Sequence, residues 1–449
     1  MSVLDRFLRY VQHDTQSDER SSSYPSTDKQ LVLLRALVDE LRAIGLQDAA
    51  IDEFGYVMAT IPATTTKTNV PTIGFIAHVD TSPEMPGAGV KPIVHRAWNG
   101  KDIVLPDAPD AVLRMTEIPA LVEQVGHDIV TASGTTLLGA DNKAGVAEIV
   151  TAAEYLMQHP EIAHGAIRLG FTPDEEVGRG TQHFDVAKFG AMCAYTMDGG
   201  LRGEVETESF SADAMTFTFH GFNAPGYAKG RMVNAIKVAA TFIDSLPQHT
   251  LSPETTEHLE GFVHPYVVQA SVERTSVKLL IRDFVTEGLE EKERMLQALA
   301  ETAVARHPGS RVDAVVEQSY RNMRQVLDKH PEIAEYACEA VRRAGLDVRR
   351  RSIRGGTDGS RLSFMGLPCP NIFAGEHNFH SPLARMGVGA GHGEGGGGHR
   401  APRAFVGRAR CELRAKLIRS RTVRSTVHRV LVCDQRLAWR SARCEHCWL

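Results

Sequence analysis

"VPTIGFIAHVDTS", residues 70–82, decides the fold. Ile73 to Ala77 read as a buried strand, and the run ends in polar residues, His78, Asp80, Thr81 and Ser82. The same grammar repeats on either side. Residues 28–45 place Leu31, Leu34, Leu37, Val38 and Leu41 at helical spacing and stop at Gly45. "AGVAEIVTAAEYLMQH", 144–159, is a second helix, while "GAIRLGFTPDEE", 165–176, and "AMCAYTMDGG", 191–200, are strands that run into polar loops. Strands alternating with helices indicate an α/β catalytic domain, with a mixed sheet covered by helices on both faces.

The pattern changes near residue 209. "SADAMTFTFHG", 211–221, alternates as a half-exposed strand does. Helical and strand-like segments then follow in turn up to "SRVDAVVEQSY", 310–320. These predict an inserted α+β domain with one antiparallel sheet over 209–320. It divides the catalytic domain into 1–208 and 321–382. From about Leu383 the chain turns Gly-rich and then Arg-rich, with little periodicity that would bury a core.

Charge follows the same division. Residues 381–449 hold 14 basic and 4 acidic residues, and the remaining body is acidic, 36 against 51. An acidic body argues against nucleic acid as a partner. No apolar run is long enough to span a bilayer, and the N-terminus reads as an amphipathic helix carrying Leu4, Phe7, Leu8 and Val11. Cys193, Cys338 and Cys369 are scattered through the body, which suits a reducing compartment. A cytoplasmic location is expected.

Metal-type ligands recur at the strand ends. His78 and Asp80 close one strand, Glu175 and Glu176 follow a second, Asp198 closes a third, and His380 follows a fourth; Asp141 precedes the helix of 144–159. Open α/β sheets bind ligands beyond the carboxyl ends of their strands, so these residues are expected to meet in one crevice. His78 and Asp80, two apart, point to the same face. A metal-bound histidine usually donates its other N–H to a carboxylate, the part Asp80 is placed to take. Taken alone, Asp141 would read as a helix N-cap; the whole set shifts the reading to metal.

Six stretches, "IAHVDTSPEMPG", "LLGADNKAGVAEI", "FTPDEEVGRG", "MDGG", "YAKGRMVNA" and "IRGGTDGSRLSFMGLPCPNIFAG" with "HNFH", resemble the dizinc aminotripeptidases of the M20 metallopeptidase family, in order over about 1–382. The resemblance implies that His78 and Asp198 bind one zinc, Glu176 and His380 the other, and Asp141 bridges both. Glu175 would be the general base for a metal-bridged water, Asp80 would orient His78, and Asp174 would be a solvated loop acid. The inserted domain would act as a lid, carry dimer contacts and hold part of the site for a small peptide. Arg282 and Arg354 are candidates to grip the peptide's terminal carboxylate with a bidentate fork. His377 and His220 are read as bystanders.

Two departures stand out. The family's lid has a histidine before "PG"; here Ala224 abuts Pro225. Losing one oxyanion donor costs on the order of 100- to 1000-fold in rate. After "HNFHSPL" the family continues into a final helix, whereas the tail from about 383 reads as a shifted frame. The expected activity is therefore release of the N-terminal residue from tripeptides. A dipeptidase or N-acyl amino acid hydrolase of the same family, or an inactive zinc-binding relative, are the alternatives.

Overall fold

The computed structural model describes residues 1–224, 230–377 and 405–408. The described residues fall into two compact units: Met1–Glu206 with His330–Arg350 and those from Thr357 onward, and those of Thr207–Lys329 with Arg351–Gly356.

In the first unit the Ile73–His78 strand lies inside an eight-stranded sheet. The order is Ala50–Ile51, Val57–Ile61, Ile167–Thr172, Ile73–His78, Cys193–Gly199, Asn371–Phe373, Glu204–Ser209, Arg349–Ile353. The four central strands, from Ile167–Thr172 to Asn371–Phe373, are parallel. Their neighbours Val57–Ile61 and Glu204–Ser209 pair antiparallel. Period-two alternation sends Phe75 and Ala77 to one face and Ile76 to the other. The first face is covered by the helices Val3–Tyr10, Gln30–Ile44, Ala140–Gln158 and Pro331–Arg343, through Phe7, Leu33, Leu37, Val146, Val150 and Val341. The second is closed by Phe184, Phe189, Leu362 and Leu367. The mixed sheet covered by helices is as expected. Parallel strands with matched register, His78 opposite Thr172 and Ile76 opposite Thr196, bring their carboxyl ends to one edge.

The second unit is an antiparallel sheet in the order Phe262–Ala270, Arg274–Asp283, Ser211–His220, Arg311–Tyr320. Phe217 and Phe219 point inward against the helices Ala235–Asp244 and Thr286–Ala305, meeting Phe242, Leu289 and Leu296. This unit is wider than 209–320, because 321–329 and 351–356 belong to it as well. Asn322 is one reason: its backbone N–H donates to Ser211 Oγ at 3.0 Å and its amide to the Phe284 carbonyl at 3.0 Å.

One short strand, Phe405–Arg408, lies within the tail, where the sequence shows little periodicity. It pairs antiparallel with Asp128–Thr131, Phe405 opposite Thr131. Sequence periodicity over four residues carries too little signal to show such a strand. No helix among the described residues is long and apolar enough to cross a membrane.

Candidate metal centre

The parallel strands deliver their polar ends to one place. His78 is the last residue of its strand and almost fully buried. Its Nε2 lies 2.8 Å from Asp141 Oδ1 and 3.3 Å from Asp198 Oδ1. One ligand atom from each of His78, Asp141 and Asp198 fits within 4.8 Å of the others. On the far side of the ring, Nδ1 meets Asp80 Oδ1 at 3.2 Å.

Asp141 comes close because of two glycines. Gly139 takes a left-handed φ of 75° at the helix entrance, which L side chains rarely adopt. Gly145 lies so close to the Asp198 strand that a Cβ there would stand 2.0 Å from the Met197 carbonyl oxygen. The helix therefore rests on that strand, and Asp141 and Asp198 face the same imidazole. Asp141 lies at a kink before the regular helix, with non-helical φ −74° and ψ 108°. The Asp141–Asn142 peptide is cis.

Asp80 does more than orient His78. Its Oδ1 accepts the backbone N–H of Glu175 at 3.0 Å, and its Oδ2 accepts that of Glu176 at 3.1 Å. One fully buried carboxylate thus holds both the imidazole and the acidic loop. Asp174 differs from expectation. It is buried, not a solvated loop acid, at a left-handed φ of 60°. Its carboxylate accepts the Ser26 N–H at 2.6 Å, Gln30 Nε2 at 2.7 Å and the Ser26 hydroxyl. It anchors the loop to the start of the Gln30–Ile44 helix. Of three consecutive acids, one is an internal strut and two carry the loop that Asp80 holds.

Electrostatics show what the cluster lacks. Burial would lower the His78 pKa, yet Asp198, Asp141 and Asp80 together hold it well above the usual histidine range. Burial first, then Asp141 and Asp358, pushes Asp198 up to about 7 against the lowering effect of His78. Burial and the surrounding acids likewise raise Glu175 and Glu176 well above the carboxylate range. Such a group of acids around one imidazole is stabilised by added positive charge. One imidazole with several carboxylates and no thiolate suits a catalytic zinc or a related divalent ion. The residues present fit a metal.

Several residues near the cluster were not singled out from the sequence. Asp358 is buried and accepts the Thr172 hydroxyl at 2.7 Å, and burial pushes it up to about 6. The only signal was its place after Thr357 at a helix start. Lys143 is buried, donates to the His13 carbonyl at 2.8 Å, and is pushed down by burial to about 7. Glu376 is also buried.

His380 lies outside the described residues, as does the side chain of His377. Arg282 and Arg354 belong to the second unit. Arg282 stacks over the Tyr320 ring at 5.1 Å. Arg354 donates to the carbonyls of Thr256, His258 and Glu260 at 2.8–3.3 Å and lies over Phe210 and Phe262. Its fork is occupied by its own chain. His220 pairs with Asp313 at 2.7 Å on the lid sheet.

Residues 136–389 match the family model described as peptidase family M20/M25/M40. The chain belongs to that family. It is 49% identical over 387 residues to the Peptidase T of Geobacillus sp. (strain WCH70), covering 86% of this chain and 94% of the relative. By this kinship it is an enzyme, a metallo-aminopeptidase. The fold is similar to that of the aminopeptidase PepT of Bacillus cereus, with TM-score 0.64, 22% identity, and 84% and 91% of the two chains covered. It is also similar to the Bacillus subtilis YXEP protein, described as a dinuclear metal-binding peptidase of the M20 family, with TM-score 0.55, 15% identity, and 85% and 90% covered.

Proposed function

We infer that this chain is a zinc-dependent aminopeptidase that releases the N-terminal residue from tripeptides. The supporting observation is the double grip of Asp80, on the His78 ring and on the Glu175–Glu176 loop. It ties a ligand and a general base to a single carboxylate, as a metal-assisted hydrolase requires. His78, Asp141 and Asp198 would hold one ion, and Glu176 with His380 would serve a second. When bound, the ion pair lowers the pKa of water and polarises a carbonyl.

The chain's own residues do the rest. Asp80 fixes the His78 tautomer by accepting from Nδ1, which leaves Nε2 for the metal. Asp174 holds the loop so that Glu175 stays within reach of the attacking water. Burial among acids raises the proton affinity of Glu175. It takes a proton as the peptide carbonyl is attacked and passes it to the departing amine. Arg282 is the candidate for the peptide's terminal carboxylate, and Arg354 acts chiefly as a latch on the 256–260 segment. A cytoplasmic location and a homodimer built through the inserted domain complete the reading.

Ala224, where the family has a lid histidine, favours one second reading: a folded zinc-binding chain with little or no turnover. Incubating the purified chain with zinc and a panel of di-, tri- and tetrapeptides and N-acyl amino acids separates the readings. Turnover confined to tripeptides supports the first. Dipeptide or N-acyl hydrolysis moves the substrate class, and zinc uptake without turnover of any of them supports the second.

A further inference from the structure

Beyond Phe373 the chain turns along the end of the Asp198 strand. The Ala374 N–H donates to the Gly199 carbonyl at 2.9 Å and the Gly375 N–H to the Gly200 carbonyl at 3.0 Å. These bonds carry Glu376 to the edge where Asp198 ends, and the Glu376–His377 strand touches the Asp141 helix. The Glu376 side chain is 1% exposed. Among the described residues its Oε2 has no hydrogen-bond partner. Burial, then the charges of Asp141 and Asp198, opposed by His78, push its carboxyl well above the usual range. Native proteins give nearly every buried polar atom a partner, and a buried carboxylate without one is strongly disfavoured. A buried carboxylate carried to the end of the Asp198 strand and against the Asp141 helix, with an unpartnered oxygen, is complemented by a cation.

We propose that Glu376 is a further protein ligand of the ion held by His78, Asp141 and Asp198, offering it a carboxylate oxygen. This rests on the metal reading of the cluster given above. It makes the donor set one imidazole and three carboxylates, all from strand ends or the helix beside them. The oxygen-rich set follows from where the chain goes after the last parallel strand, because the two backbone bonds to Gly199 and Gly200 fix that path.

The test uses the full chain, stripped of metal with a chelator and titrated with zinc against a chromophoric chelator. Wild type is compared with His78→Ala, Glu376→Gln, Glu376→Ala and Glu376→Asp. Expected is a roughly 10- to 100-fold weaker affinity, in Glu376→Gln and Glu376→Ala, at the site that His78→Ala also weakens. Glu376→Asp retains most of the affinity. The metal-free Glu376→Gln protein melts at or above the wild-type temperature, since an amide stays uncharged there without taking up a proton, while its gain in Tm on adding zinc shrinks. Wild-type zinc affinity in both neutral variants, with His78→Ala weakened, overturns the assignment of Glu376. So does a lower metal-free Tm with an undiminished zinc gain, which marks a purely structural side chain. Unaltered zinc affinity in His78→Ala overturns the metal reading itself.

Discussion

Asp80→Asn is the substitution that probes the site most economically. It keeps the side chain's shape and removes one acceptor and one charge. In the wild type, Oδ1 faces His78 Nδ1 at 3.2 Å and the Glu175 N–H at 3.0 Å, and Oδ2 faces the Glu176 N–H at 3.1 Å. An asparagine has one oxygen, so one of these donors must meet an NH2 group. If the oxygen stays toward His78, the Glu176 N–H is left without an acceptor in a partly buried place, which costs about 1–3 kcal/mol. If the amide flips, two donors are stranded. The bond to His78 also loses its charge, and outer partners of this kind are worth about 10- to 100-fold in metal affinity. At about 1.4 kcal/mol per decade the two effects are of similar size. The variant is expected to bind zinc about 10- to 100-fold more weakly and to show a lower kcat even when saturated with zinc, with a smaller change in KM. Zinc titration and steady-state kinetics on a tripeptide measure both. An Asp80→Asn protein with wild-type zinc affinity and wild-type kcat would refute the view that this carboxylate organises the centre.

The other predictions are simpler. Glu175→Gln keeps its zinc content and loses turnover; loss of zinc would instead make Glu175 a ligand. Asp174→Ala strands the Ser26 N–H and hydroxyl, while the Gln30 amide keeps Ser26 Oγ and Thr27 Oγ1 as acceptors; it should lower unfolding stability by roughly 2 kcal/mol or more, at about 1–3 kcal/mol for each stranded buried group, as urea denaturation reads it. Glu206 gives a pH signature. Burial pushes it from 4.5 up to about 8, so the folded state holds a proton that the unfolded chain has released between those values. Stability from this group is present at low pH and is lost as pH rises through about 8. Glu206→Gln should therefore raise Tm more at pH 8.5 than at pH 5, and an equal effect at both would contradict the buried-acid picture.

Much of the fold could be read from the chain because its signals are local. Phe75, Ile76 and Ala77 alternate between two covered faces, as an apolar run in a parallel sheet does. His78, Asp80 and Asp198 were visible as polar ends of apolar strands, and general topology says those ends meet. What stayed hidden depends on distant partners. Asp174 looks solvated in its own loop and is buried because Ser26 and Gln30 arrive from 148 and 144 residues away. Asp358 sits at a helix start whose nearness to Thr172 is set by packing across 186 residues. Arg354 has the right chemistry for a carboxylate, but its surroundings, three carbonyls from 256 to 260, are a matter of how one loop folds back. Asp141 reads as a cap in the sequence, and the tight contact of Gly145 with Met197 is what brings its carboxylate to His78.

The central claim is that strand ends remote in the chain hold a metal pair. Anomalous diffraction at the zinc edge from crystals of the zinc-loaded protein measures this directly. The account predicts one peak shared by His78 Nε2, Asp141 and Asp198 and a second roughly 3.5–4 Å away on Glu176. Zinc bound elsewhere, with no peak among His78, Asp141 and Asp198, would contradict it.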